Sequence, residues 1–173
     1  MNDEIVQLIS DMFETMYNAD GIGIAANQVG SPLAITVMDL SVIEEEQYQH
    51  YKPTALINPV IEVFSEETIE FEEGCLSLPT LRDMIVRPKL IQVRYYDQDM
   101  KEHVIEADEM FSRVIQHEVD HLHGKYFFEY LSPVRRALAH PKLKRIQRGA
   151  VETEYPLFDS KQPEKPSARA VRR

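Results

Sequence analysis

Apolar side chains at Ile5, Leu8, Ile9, Met12, Phe13 and Met16 recur three and four positions apart, which predicts an amphipathic helix over residues 3–18. Gly21 and Gly23 interrupt it. From Pro32 to Leu40 the run Ala34-Ile35-Thr36-Val37-Met38 is rich in β-formers and predicts a strand, whereas Ser41–Pro53 is acidic and polar and reads as an exposed loop. Short strands are expected near 54–57, 60–64 and 68–72, and another at Met84–Val86, ended by Pro88. Leu90–Tyr96 and Glu102–Ala107 then flank the turn residues Asp97-Gln98-Asp99-Met100 as a hairpin. A second helix is predicted over 108–122 with Asp108 as its cap. Its Met110, Phe111, Val114, Ile115 and Val119 put apolar groups nearly all round, the pattern of a central, buried helix. A third helix starts near Pro133 and carries Arg135, Arg136, Lys142, Lys144, Arg145 and Arg148; from Pro156 onward three prolines and scattered charges predict disorder. The fold class is therefore α+β, with short antiparallel sheets around a central buried helix and a further C-terminal helix. One domain is expected over residues 1–150, followed by a basic, disordered tail over 151–173.

Length and composition are ordinary for such a domain: 173 residues, 43% hydrophobic and 28% charged. No apolar run approaches the roughly 18 residues of a membrane span, and Met1-Asn2-Asp3-Glu4 lacks the basic and apolar parts of a secretory signal. The single cysteine rules out an intrachain disulfide, and a cytoplasmic location is expected. Charge changes the picture more. The net −10 is the sum of 8 − 25 = −17 over residues 1–133 and 11 − 4 = +7 over residues 134–173. An acidic body excludes broad or sequence-specific nucleic-acid recognition. The basic C-terminal end reads either as a solvated helix or as a docking element for a polyanion such as ribosomal RNA.

The chemistry concentrates in Gln116-His117-Glu118-Val119-Asp120-His121 on the second helix. Histidines four residues apart project from one helical face, about 40° and ~6 Å apart along the axis, so both imidazoles can converge on one cation. Glu118 lies between them and reaches a metal-bound water without being a ligand. The bland alternative is a pair of hydrogen-bonded core histidines, but two imidazoles and a carboxylate on so apolar a helix are costly to bury without something to coordinate. A catalytic site of this type needs a third protein ligand and an open position. Downstream, His123, Glu129 and His140 stand in no evident motif. Upstream, Cys75 lies in Glu72-Glu73-Gly74-Cys75-Leu76-Ser77-Leu78-Pro79, where Gly74 and Pro79 mark a constrained loop better suited to a ligand than to a core filler.

Three segments together, Gly21-Ile22-Gly23-Ile24-Ala25-Ala26-Asn27-Gln28, Glu73-Gly74-Cys75-Leu76-Ser77 and Gln116-His117-Glu118-Val119-Asp120-His121-Leu122, resemble in order and spacing the signature of peptide deformylases. The similarity runs from about residue 5 to residue 150. The resemblance implies a hydrolase that removes the formyl group from N-formylmethionyl nascent polypeptides and releases formate. It implies Cys75, His117 and His121 as ligands of one divalent metal, Fe²⁺ in the cell, with Zn²⁺, Ni²⁺ or Co²⁺ able to substitute. Hydroxide generated at the metal would attack the formyl carbon, with Glu118 as general base and then acid. Gln28, through its side-chain amide, and Leu76, through its backbone N–H, would stabilise the oxyanion. Gly23 would allow close approach of the substrate backbone, Ile22, Phe71, Met110 and Val114 would line the methionine pocket, and Arg82 would stand at the cleft mouth. The implied fold is three antiparallel sheet pieces around the histidine-bearing helix, and the basic C-terminal helix is the element linked to the ribosome.

Outside these roles, Glu73 is expected to anchor loop backbone and Asp120 to orient a neighbour, while His50, His103, His123 and His140 should face solvent. The chain departs from the family pattern at Ile24, where Leu is usual, at Asn27, where Pro or Thr is common, and in lacking a segment before the first helix; retained activity with lower stability is the expected result. Two alternatives have other consequences. A zinc endopeptidase would not need Cys75, and a ribosome-associated module of low activity would work through its basic helix and not need Glu118.

Overall fold

The protein is described by a computed structural model over residues 1–157. Asn2 opens the first helix: its side chain accepts from the Ile5 N–H at 2.9 Å, and Asp3 and Glu4 meet the positive end of the helix dipole, so α1 runs Asp3–Asn18 as expected. The strands follow as β1 (Gly23–Ala25), β2 (Ile35–Met38), β3 (Thr54–Phe64), β4 (Thr68–Cys75), β5 (Leu78–Pro88), β6 (Leu90–Tyr96) and β7 (Glu102–Asp108), and the remaining helices are α2 (Glu109–Leu122) and α3 (Pro133–Gln147). One antiparallel sheet has the order β1-β2-β3-β6-β7; β4 and β5 pair separately.

Alternation along β2 and β3 divides the core. Val37, Ala55 and Ile57 face α1, where they pack on Ile9, Met12 and Met16; Met38 and Leu56 face the other way and pack on Val114, Ile115 and Val119 of α2. The large sheet is thus sandwiched between α1 and α2. A third cluster joins Leu78, Leu81 and Ile85 of β5 to Phe127, Leu131 and Ala139, which seats α3 against the limb that carries Cys75.

The α+β expectation holds, with several differences of detail. The strands expected at 54–57 and 60–64 are one strand, because β3 passes through its irregularities between Ile57 and Val60 and between Ile61 and Val63 without breaking. That continuity fuses sheet pieces, so the described residues form two sheets where the resemblance implies three. Met84–Val86 is the middle of an 11-residue strand whose ends were hidden by Arg82, Asp83 and Arg87, charges that interrupt the apolar alternation. The 41–53 loop contains two short 3₁₀ turns, and Tyr51 packs on Phe111 with ring centroids 4.9 Å apart, so the loop is only partly exposed. Asp108 occupies the cap position of α2 but makes no side-chain capping bond. His103 is half-buried, stacked on Tyr95 and bonded to Asp97, whereas His50, His123 and His140 are exposed.

The most informative difference lies on α2. It is buried, but not apolar all round: Ser112, Arg113, Gln116, Glu118 and His121 are buried beside Val114, Ile115 and Val119. One face belongs to the core, and the other is polar and must find partners inside the protein. Of the basic tail expected over 151–173, residues 158–173 lie outside the described residues, while 151–157 turn back toward the polar face of α2.

Candidate metal centre

The partners of that polar face come from three directions. Helical spacing brings His117 and His121 together, ring centroids 4.8 Å apart. Irregular pairing after Gly74 turns the end of β4 so that Cys75 faces them. Cys75 Sγ lies 3.1 Å from His121 Nε2, which lies 3.2 Å from His117 Nε2, and the three ligand atoms are all within 4.8 Å of one another. Ligand atoms sharing one tetrahedral cation of this kind stand roughly 3.3–3.6 Å apart.

Chemistry supports the fit. His117 Nδ1 is bonded to Glu73 Oε2 at 2.8 Å, which fixes the ring so that its Nε2 points toward His121 Nε2. Two ring nitrogens and a sulfur thus face one another across a gap that a single cation could bridge. Burial opposes a charge on His117, but Cys75, Glu73 and Glu118 outweigh it and push its pKa up to about 10. Burial, and then His117 and Arg87, push His121 down to about 3.

Glu118 is 4% exposed, and its Oε2 has no hydrogen-bond partner among the described residues. Burial raises its pKa to about 7, with His117 opposing and Glu73 assisting the rise. A buried, unpartnered carboxylate that titrates near neutrality is suited to accept and return a proton. A Cβ added to Gly23 would stand 2.6 Å from Glu118 Oε1, so the absence of a side chain there makes room for Glu118.

Glu73 bonds buried side chains, where loop backbone was the expected partner. Arg87 grips both its oxygens at 2.7 and 3.0 Å, Arg113 donates to Oε1 at 2.6 Å, and His117 takes Oε2. Arg87 also bonds Asp120 at 2.5 Å and lies over the Tyr130 ring, so Asp120 does orient a neighbour. Burial alone would raise the pKa of Glu73, but His117 and Arg87 hold it well below the usual carboxylate range. Sequence reasoning missed Arg87 and Arg113, whose only signal is an arginine at a position that burial periodicity assigns to the interior.

The remaining expected residues divide cleanly. A cleft of about 510 Å³ brings together Gln28, Cys75, Leu76, His117 and Glu118, and Ile22, Gly23, Arg82, Met110 and Val114 also line it. Phe71 is not in its wall: it lies under Arg113, whose guanidinium carbon is 5.4 Å from the ring centroid, because the buried arginine takes the space between. Gln28 Oε1 accepts from the Ala25 N–H at 2.8 Å while its Nε2 donates to Ser77 Oγ at 3.0 Å, which fixes the amide 3.7 Å from Cys75 Sγ. Asn27, one of the departures noted above, donates through Nδ2 to the His121 carbonyl and ties this turn to the end of α2. Tyr155, with no distinguishing sequence signal, reaches the cleft from beyond α3.

Comparison with known proteins bears on the whole arrangement. A family model for polypeptide deformylase matches residues 1–137. The chain belongs to the peptide deformylase family. It is 45% identical over 162 residues to the peptide deformylase of Salinibacter ruber, covering 90% of this chain and 83% of that one. It is 44% identical to the Cytophaga hutchinsonii enzyme, covering 88% and 82%. Among solved structures, peptide deformylase from Ehrlichia chaffeensis superposes with a TM-score of 0.74 at 40% identity, covering 86% of each chain. A Plasmodium falciparum peptide deformylase in complex with an inhibitor superposes with the same score at 31% identity, covering 85% and 86%. Peptide deformylases are metal-dependent, and this member carries a Cys-His-His cluster able to hold the ion.

Proposed function

We propose that this deformylase hydrolyses the formamide bond of N-formylmethionyl peptides through the residues gathered around Glu118. The reaction adds water across the C–N bond, giving formate and a free amino terminus. The observation that carries the reading is the unpartnered Oε2 of buried Glu118 beside a three-residue Cys-His-His cluster, of which Cys75 and His117 line the cleft. Cys75, His117 and His121 would hold the divalent cation, which when bound acidifies water and polarises the formyl oxygen. Glu118 takes the proton of the attacking water and delivers it to the departing amine. The Gln28 amide and the Leu76 N–H donate to the oxygen that gains charge as the carbon becomes tetrahedral. Ile22, Met110 and Val114 offer the methionine side chain an apolar wall, and Arg82, two-thirds exposed at its side chain, stands at the mouth. Fe²⁺ is the proposed ion in the cell, with Zn²⁺, Ni²⁺ or Co²⁺ able to replace it, since one thiolate and two imidazoles suit all four.

Residues 1–150 are proposed as the catalytic domain and the cytoplasm as its location. No described helix is long and apolar enough to cross a membrane. Docking to the ribosome through α3 is a further part of the reading. Arg135 pairs with Asp83, Arg136 bonds the Glu129 carbonyl, Lys142 the Thr80 carbonyl and Arg145 the Ala150 carbonyl, which leaves Lys144 and Arg148 as the charges best placed for a polyanion. Neither an endopeptidase nor a low-activity module finds support in the comparisons. Formate release from formyl-Met-Ala-Ser, with metal analysis of the same anaerobic sample, tests the proposal. Formate without backbone cleavage is expected, and cleavage of unblocked peptides without formate would contradict it.

A further inference from the structure

The chain does not leave the molecule at the end of α3. Gly149 adopts φ 65°, and the Gly149 N–H to Ile146 carbonyl and Ala150 N–H to Arg145 carbonyl bonds, both 2.9 Å, close a left-handed helix stop that reverses the backbone. The segment that follows lies along the cleft, where Glu152, Thr153 and Tyr155 share the wall with Leu76, Cys75 and Glu118. Two bonds shape it: Thr153 Oγ1 donates to the Tyr155 carbonyl at 2.6 Å, and Tyr155 Oη donates to the Leu76 carbonyl at 2.9 Å. Tyr155 is half-buried although it follows an exposed helix end, so its ring is seated and not free in solvent.

Leu76 is the residue whose N–H is assigned above to the developing oxyanion. Its N–H and C=O belong to successive peptide planes joined at one Cα, so fixing the carbonyl limits rotation of the N–H. On the other side of this limb, a Cβ at Gly21 would stand 2.8 Å from Leu76 Cδ1, which shows that the Leu76 side chain is closely confined as well. Side chain and carbonyl are thus both held, the carbonyl by a single phenol from 79 positions away.

We propose that Tyr155 is a positioning residue for deformylation: its hydroxyl aligns Leu76, and the Glu152–Tyr155 segment forms one wall of the peptide cleft. This inference rests on the deformylase reading of the site. It assigns to the chain beyond α3 a part in catalysis separate from any docking role.

The test is steady-state formate release from formyl-Met-Ala-Ser by the full chain, wild type against Tyr155→Phe and Tyr155→Ala, with metal content and thermal midpoint of each. Loss of one hydrogen bond that aligns a transition-state donor predicts a fall in kcat of about two- to ten-fold for Tyr155→Phe, at unchanged KM, metal content and midpoint. Tyr155→Ala, which also opens the wall, should add a rise in KM. Wild-type kcat in Tyr155→Phe would overturn the inference, as would a loss of kcat that merely tracks lost metal or a lowered midpoint. Absence of formate release by metal-loaded wild type would instead sink the deformylase reading, and this inference with it.

Discussion

Glu118 and Gly23 are packed against each other at the cleft, and what surrounds each decides what it can do. Glu118 is buried without a partner for Oε2, so it spends its hydrogen-bonding capacity on whatever enters the cleft. Glu118→Gln should lower kcat by roughly 10²–10⁴, the usual worth of general acid–base catalysis, while metal content measured on the same sample stays at wild type. Gly23 protects that carboxylate. Gly23→Ala places a Cβ 2.6 Å from Oε1, and the side chain must move, because the strand backbone pairing with β2 cannot. The expected result is a fall in kcat with metal still bound; an unaltered kcat would mean that Glu118 has room to spare. At this scale the sequence was legible where chemistry imposes spacing. Two histidines four apart with a glutamate between are readable in one line, and Cys75 stands out as the candidate third ligand by its loop and by resemblance. Gly23 was read only for the substrate; its second neighbour, Glu118, could not be read, since nothing in a linear pattern says which side chain packs against a glycine.

Among the elements, α2 and the β4–β5 hairpin depend on each other through Glu73. Its carboxylate joins Arg87 of β5 and Arg113 and His117 of α2 in one buried network. Removing the charge by Glu73→Gln leaves two buried guanidiniums short of their counter-ion and should cost about 3–5 kcal/mol, measured by denaturant unfolding at neutral pH. The pH dependence has a definite sign. The folded-state pKa of Glu73 lies below its ordinary value of 4.5, so its stabilisation is fully present above that value and is lost as pH falls toward the folded value. Wild type should therefore lose stability on acidification below pH ~4.5 more steeply than Glu73→Gln. Equal slopes would contradict the network. This network is what the sequence concealed. Arg82, Asp83 and Arg87 hid the ends of β5 and left only Met84–Val86 readable as strand, and α2 looked apolar nearly all round because a linear reading cannot tell which polar residues are buried. The hairpin β6–β7, with alternating residues and a polar turn, and α1, with its regular stripe, were legible because each is specified by its own side chains.

For the whole molecule, the layers serve to hold three distant segments against α2: the turn at Gln28 beside β1, the end of β4, and the strap beyond α3. The C-terminal helix participates in this, since Ala139, Leu143 and Ile146 pack on the cluster that contains Leu78 and touches Cys75. Deleting α3 would therefore disturb the centre as well as any docking. Charge reversal at Lys144 and Arg148 separates the two roles: co-sedimentation with ribosomes should weaken while formate release from a tripeptide stays within about two-fold, because surface substitutions away from the core rarely cost more than ~0.5 kcal/mol. Unchanged ribosome affinity would end the docking proposal. The central claim is that Cys75, His117 and His121 grip one cation, and it is tested most directly by the metal stoichiometry of anaerobically purified wild type and Cys75→Ala. One equivalent of divalent metal per wild-type chain and a near-complete loss in Cys75→Ala is the predicted result. A full equivalent retained without the thiolate would contradict it.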